Sequence, residues 1–74
     1  MDLTASPEEI LGASLKRARH KAKVSLRSMA MALGTDHSEV AKIERGRPST
    51  LTRYAKIAAL LGCEIVVKVR RRAA

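Results

Sequence analysis

Between Leu33 and Pro48 the chain is punctuated so closely that few local folds suit it. Gly34 can end a helix by taking a left-handed conformation at low steric cost. Asp36 follows as a cap for the next helix, and Glu39, three residues on, completes a capping box. Val40 and Ile43 give that helix a buried edge before Gly46 closes it. A helix this short is marginal by itself and must pack against the helix before it. Its other side then offers short polar side chains to whatever lies outside.

The same punctuation divides the rest of the chain. Residues 1–5 read as a short flexible N-terminal arm. Ser6-Pro7-Glu8-Glu9 is a helix start: Ser6 caps, Pro7 takes the first helical position, and Glu9 closes a capping box. Glu8 and Glu9 point in different directions in that first turn and serve the helix dipole. The first helix spans about residues 7–21, with Ile10, Leu11, Leu15, Ala18 and Ala22 along one side. Lys16, Arg17, Arg19, His20 and Lys21 occupy the other side, either as a binding face or as a solvated one. Ser25 caps a second helix over 26–33, whose inner face is Met29, Ala30 and Leu33. The third helix covers 37–45 and leads into the basic, rigid loop Arg45-Gly46-Arg47-Pro48. Ser49 or Thr50 caps a fourth over 51–61, with Leu51, Tyr54, Ile57, Ala58 and Leu61 facing inward and Gly62 ending it. Residues 6–62 thus form one helical domain, and the 74-residue chain has room for one modest core.

Residues 63–69 differ in kind. Glu64-Ile65-Val66-Val67-Lys68-Val69 is rich in β-branched residues and reads as a strand, with Ile65, Val67 and Val69 on one face. Nothing else in the chain does. A lone strand leaves its backbone polar groups unpaired unless water or another strand takes them. The simplest partner is the same strand of a second copy, pairing across a two-fold axis and making Ile65, Val66, Val67 and Val69 dimerisation residues. The other reading continues the fourth helix into a frayed basic tail. Residues 70–74 form that tail, and Arg70-Arg71-Arg72 either lies along a nucleic acid or only aids solubility.

Composition narrows the function. The net charge of +8 points to a polyanionic partner, nucleic acid ahead of a membrane surface. Tyr54 is the only aromatic residue, and binders of single strands and RNA stack bases on aromatic rings, so duplex DNA is the better match. With Cys63 the only cysteine, an internal disulfide is impossible and a cysteine-based zinc site is not expected. Cys63 reads as a small core residue in a reducing cytoplasm. No apolar run approaches ~18 residues and no signal-peptide pattern is present, which argues against secretion and membrane insertion. His20 and His37 sit on different helices without ligand or catalytic partners at useful spacing. The expectation is a non-enzyme with no cofactor and no metal.

The second helix, Gly34 and the third helix have the spacing of a helix-turn-helix. Ala30 is the small residue needed where the two helices cross, and Val40 the apolar one needed inside the third. The run from Ser25 to Gly62 resembles the Xre/Cro repressor family. The resemblance rests on Ser25, Met29-Ala30, Leu33-Gly34, Asp36, Val40, Ile43-Glu44-Arg45-Gly46, Pro48-Ser49, and Leu51 through Gly62. The ending from Leu61 to Arg72 resembles the HipB-like antitoxin branch, whose helical body dimerises through a C-terminal strand. The implied fold is mainly α, a lambda-repressor-like bundle of four helices plus one strand pairing across a homodimer. The implied function is a sequence-specific, double-stranded DNA-binding repressor on a pseudo-palindromic operator, often its own. The alternative is an antitoxin whose main task is to bind and neutralise a toxin protein. Carried over by position, His37, Ser38 and Lys42 would read bases, with Glu39 a further candidate. Ser25, Arg27, Arg45, Arg47, Thr50 and Arg53 would contact phosphates. One departure stands out: Leu26 occupies a position where the family commonly has a glutamine that braces the first reading residue.

Overall fold

Each helix begins at a side chain that accepts a hydrogen bond from a first-turn N–H, the group most in need of a partner. The computed structural model describes residues 5–71; residues 1–4 of the expected arm and 72–74 of the expected tail lie outside them. Helix α1 is Pro7–Lys21, α2 Leu26–Leu33, α3 His37–Glu44 and α4 Leu51–Leu60. Their caps are Ser6, Ser25, Asp36 and Thr50, so Thr50 rather than Ser49 starts α4. The capping box expected at α1 is complete: Ser6 Oγ accepts from the Glu9 N–H at 3.1 Å, and the Ser6 N–H donates to Glu9 Oε1 at 3.2 Å. Helices α3 and α4 each end one residue earlier than expected, because Arg45 and Leu61 serve as caps.

The helices enclose one core of Leu15, Met29, Ala30, Val40, Ile43, Tyr54, Ile57 and Ala58, with Leu11, Val24, Leu26, Leu33, Leu61 and Ile65 packed around it. Helix α3 lies against both α1 and α2, and α4 closes the bundle against α2 and α1. Val40 and Ile43 are 0% and 1% exposed, so the short α3 is fixed from within.

Two close contacts bind α1 to the end of α3. Arg19, expected on the outward basic side of α1, is buried, as is Glu44. Arg19 Nε donates to Glu44 Oε2 at 2.7 Å, Nη2 donates to Oε1 at 3.1 Å, and Nη1 donates to the Val24 carbonyl at 2.8 Å. Burial of two charges is tolerable here because the pair is bidentate and further satisfied. Among the described residues no buried side-chain polar atom lacks a partner. Beside this pair Gly12 is buried. A Cβ there would clash with the Ile43 carbonyl oxygen and come within 2.8 Å of that of Glu44. Glycine is what lets α1 pass directly over the C-terminal turn of α3.

Four expected burials do not occur. Ile10 and Leu51 are 55% and 63% exposed, and Ala22 is also exposed. Leu51 is the first residue of α4, Ala22 the cap that follows α1, and Ile10 stands in the first turn of α1. Cys63 is exposed rather than in the core, because the chain leaves the bundle there. Gly62, at φ +71, and the Cys63 N–H, which donates to the Ala58 carbonyl at 2.8 Å, terminate α4 and rule out its continuation. Residues 63–71 form no helix, and no strand ladder occurs among the described residues; a ladder needs two strands and the chain supplies one candidate. Ile65 packs against the core while Val66, Val67 and Val69 are exposed. Ile65, Val66 and Val67 face α1 across a shallow groove lined by Pro7, Ile10, Leu11 and Ser14.

Candidate nucleic-acid interface

Helix α2 ends at Gly34, which adopts φ +73. There the Gly34 N–H donates to the Met31 carbonyl at 3.2 Å and the Thr35 N–H to that of Ala30 at 2.9 Å. This left-handed turn sends the chain across α2 at Ala30, whose small side chain is 3% exposed. Helix α3 then begins at Asp36, whose carboxylate accepts from the Glu39 N–H at 2.8 Å. The Asp36 carboxyl is held below its ordinary value, chiefly by that N–H and next by the Ser38 hydroxyl, with smaller contributions from the His37 and Lys42 charges. Desolvation, which ranks ahead of those two charges, works the other way. A carboxylate at a helix N-terminus is favoured for the same reason: the donors and the dipole both point at it.

On the outward side of α3, His37, Ser38 and Lys42 are all exposed, and Glu39 is half-buried. Glu39 does not complete a second capping box. Its carboxylate turns instead to Arg47, whose Nη1 donates to Oε2 at 3.1 Å and to Oε1 at 3.3 Å. The partner on the neighbouring loop outcompetes the neutral Asp36 N–H because it carries a full charge.

The expected phosphate-contacting residues are distributed over the rim. Ser25 and Arg27 are exposed at the start of α2, and Ser25 Oγ both accepts from the Ser28 N–H and donates to Ser28 Oγ, each at 3.0 Å. Arg45 is exposed at the end of α3, and Arg47 is exposed two residues on. Thr50 Oγ1 accepts from the Arg53 N–H at 3.0 Å; Thr50 and half-buried Arg53 line a small cleft beside Leu33, at the last turn of α2. Leu26 is partly buried against the core, so this position contributes packing and no brace for the recognition surface. Lys16, Arg17, His20 and Lys21 of α1 are exposed, but Arg19 is not available to any ligand.

Tyr54 has a role that sequence reasoning did not find. Its hydroxyl accepts from the Ser49 N–H at 3.1 Å and donates to the Arg47 carbonyl at 3.5 Å. This phenol thereby fixes the basic loop. The Arg47 N–H in turn donates to the Lys42 carbonyl at 3.0 Å.

A family model described as a helix-turn-helix domain matches residues 10–71. The chain belongs to the helix-turn-helix domain family. No curated protein matches it. The helix-turn-helix itself is α2, the Gly34 turn and α3, and domains of this kind are the modules with which regulators bind DNA. No helix among the described residues is long and apolar enough to cross a membrane. Likewise, the described residues contain no group of three or more His, Cys, Asp or Glu side chains placed to share a metal ion.

Proposed function

We propose that this protein is a sequence-specific, double-stranded DNA-binding repressor of the Xre/Cro type, working in the cytoplasm as a homodimer on a pseudo-palindromic operator. The observation that carries the proposal is the contrast between the two sides of α3. Val40 and Ile43 are essentially inaccessible, while His37, Ser38 and Lys42 are exposed. A short helix anchored in the core and polar outside suits insertion into a major groove, where its N-terminal residues meet base edges. Lys42 and His37 would donate to guanine O6 and N7, Ser38 would donate or accept, and Glu39 would accept. Ser25, Arg27, Arg45, Arg47, Thr50 and Arg53 would contact phosphates and supply most of the affinity.

The second copy is supported by residues 64–71, which make no backbone–backbone hydrogen bond to another described residue. Pairing Ile65, Val66, Val67 and Val69 with the same residues of a partner would satisfy those groups and cover the exposed valines. Two α3 helices would then enter successive major grooves about 34 Å apart. Repression would follow from occluding a promoter, the protein's own among the first to examine.

The deciding experiment combines a footprint on DNA upstream of the gene with a Lys42→Ala variant. Protection of a two-fold site, and loss of preference for that site in the variant, support the reading. Equal binding of random DNA by both proteins would sink it.

A second reading, an antitoxin of the HipB-like branch that neutralises a toxin protein, is favoured by a separate feature. Met31 and Leu60 are 77% and 48% exposed, and Leu60 lines a shallow apolar groove with Ala32, Leu33, Lys56 and Ala59. This surface, between α2 and α4, is one that neither α3 nor the C-terminal segment uses. Co-purification with the product of the adjacent gene, abolished by Leu60→Glu, would favour it; a Leu60→Glu variant that still captures that product would count against it.

A further inference from the structure

Glu39 and Arg47 would both face the nucleic acid, with opposite charges, and they are bonded to each other. Arg47 is 53% exposed and Glu39 35% at the side chain, so water screens the pair and its net strength is modest. The Arg47 backbone is tied down at its N–H by the Lys42 carbonyl and at its carbonyl by the Tyr54 hydroxyl. Only the side chain has a choice of partner. A carboxylate and a phosphate present similar pairs of oxygens to a guanidinium. Glu39 and a DNA phosphate therefore compete for one cation.

We infer that Glu39 is a specificity-determining residue that withholds Arg47 from the DNA backbone until a cytosine releases it. The inference rests on the DNA-binding reading above. On a random duplex Glu39 keeps Arg47, because a carboxylate stripped of its partner would face an anionic groove with nothing to accept from. Where a cytosine N4 amino group lies opposite, the carboxylate accepts from it. Arg47 then moves to a phosphate, and the correct base gains a backbone contact as well as its own hydrogen bond. A weak ion pair is suited to this task, since a strong one would not open.

The test is equilibrium binding of the full chain over a range of salt, to a random-sequence duplex and to a duplex that the wild type selects from a randomised library. Wild type, Glu39→Gln, Arg47→Gln and the double variant are compared. Glu39→Gln is expected to tighten random-duplex binding about two- to fivefold and to steepen its log–log salt slope by about 0.9, one more phosphate. Arg47→Gln is expected to leave the random-duplex slope unchanged and to flatten the slope on the selected duplex by a similar amount. In the Arg47→Gln background, Glu39→Gln should no longer steepen any slope. Library selection with Glu39→Gln should exchange cytosine for adenine at one position, the base a glutamine amide prefers. Equal tightening by Glu39→Gln with and without Arg47 would overturn the inference, as would an unchanged base preference. A wild type that binds no duplex at low salt is a distinct result and removes the DNA-binding reading itself. Far-UV circular dichroism confirms that each variant remains folded, as expected for two partly exposed side chains.

Discussion

Arg19 and Glu44 are charged residues in positions that packing would otherwise give to aliphatic ones. Leu11, Leu15 and Arg19 recur at four-residue intervals along α1, and Val40 and Glu44 do the same along α3. Both charges thus lie on buried stripes, and opposite charges on two buried stripes imply a pair. The signal was present in the sequence, but a cluster of basic neighbours concealed it. Removing one partner leaves the other charge buried and uncompensated. Arg19→Met or Glu44→Leu alone is expected to lower unfolding free energy by about 3–5 kcal/mol, whereas the double replacement recovers most of the loss. Urea unfolding followed by circular dichroism measures both, and additive single effects would refute the pairing argument. Gly12 belongs to the same crossing. Gly12→Ala is expected to cost about 1–3 kcal/mol through overpacking against backbone that cannot yield, the opposite of what alanine does in an open helix.

At the scale of elements, α3 depends on its cap and on the loop that follows it. The folded-state value of the Asp36 carboxyl is depressed, so its contribution is fully present above the ordinary carboxylate pKa. It is lost as pH falls through the lowered folded value, in a window below about pH 4. Asp36→Asn keeps a good capping side chain but removes the titrating group. The stability difference between wild type and this variant is therefore expected to be flat at neutral and mildly acidic pH and to shrink below about pH 4. Urea midpoints at a series of pH values would show it; a difference independent of pH throughout would refute it. The loop rests on Tyr54, and Tyr54→Phe keeps the packing while deleting two hydrogen bonds. It is expected to cost about 1 kcal/mol and to weaken DNA binding, because the backbone of Arg47 loses an anchor. The cap was legible from Asp36, but the capping box expected from its spacing to Glu39 does not form. The fate of the Glu39 side chain was not legible, since its partner lies eight residues on, across the turn that ends α3.

At the scale of the molecule, the four helices among the described residues form the bundle, and residues 63–71 leave α4 with Ile65 against the core and Val66, Val67 and Val69 exposed. A chain ending at Gly62 retains every fully buried core residue and loses the exposed valines. If the proposed strand-paired homodimer is right, it is expected to stay helical and to be monomeric where the full chain is dimeric, with affinity for a two-fold DNA site reduced strongly and affinity for random DNA reduced far less. Sedimentation equilibrium and binding titrations of the two lengths measure this. A truncated chain that remains a dimer would show that another surface, with the groove beside Leu60 the first to examine, joins the copies.

The helices, their order and nearly all their boundaries were determined by the sequence alone, because caps, glycine stops and apolar spacing act within a few residues. The family could be read for the same reason: a helix-turn-helix is a local motif. The pass of Gly12 over α3, the anchoring of the basic loop by Tyr54 and the capture of Arg47 by Glu39 were decided only in three dimensions. Each pairs residues that a turn or a helix crossing brings together, and no local pattern states which of several arginines or glutamates will be the one to arrive.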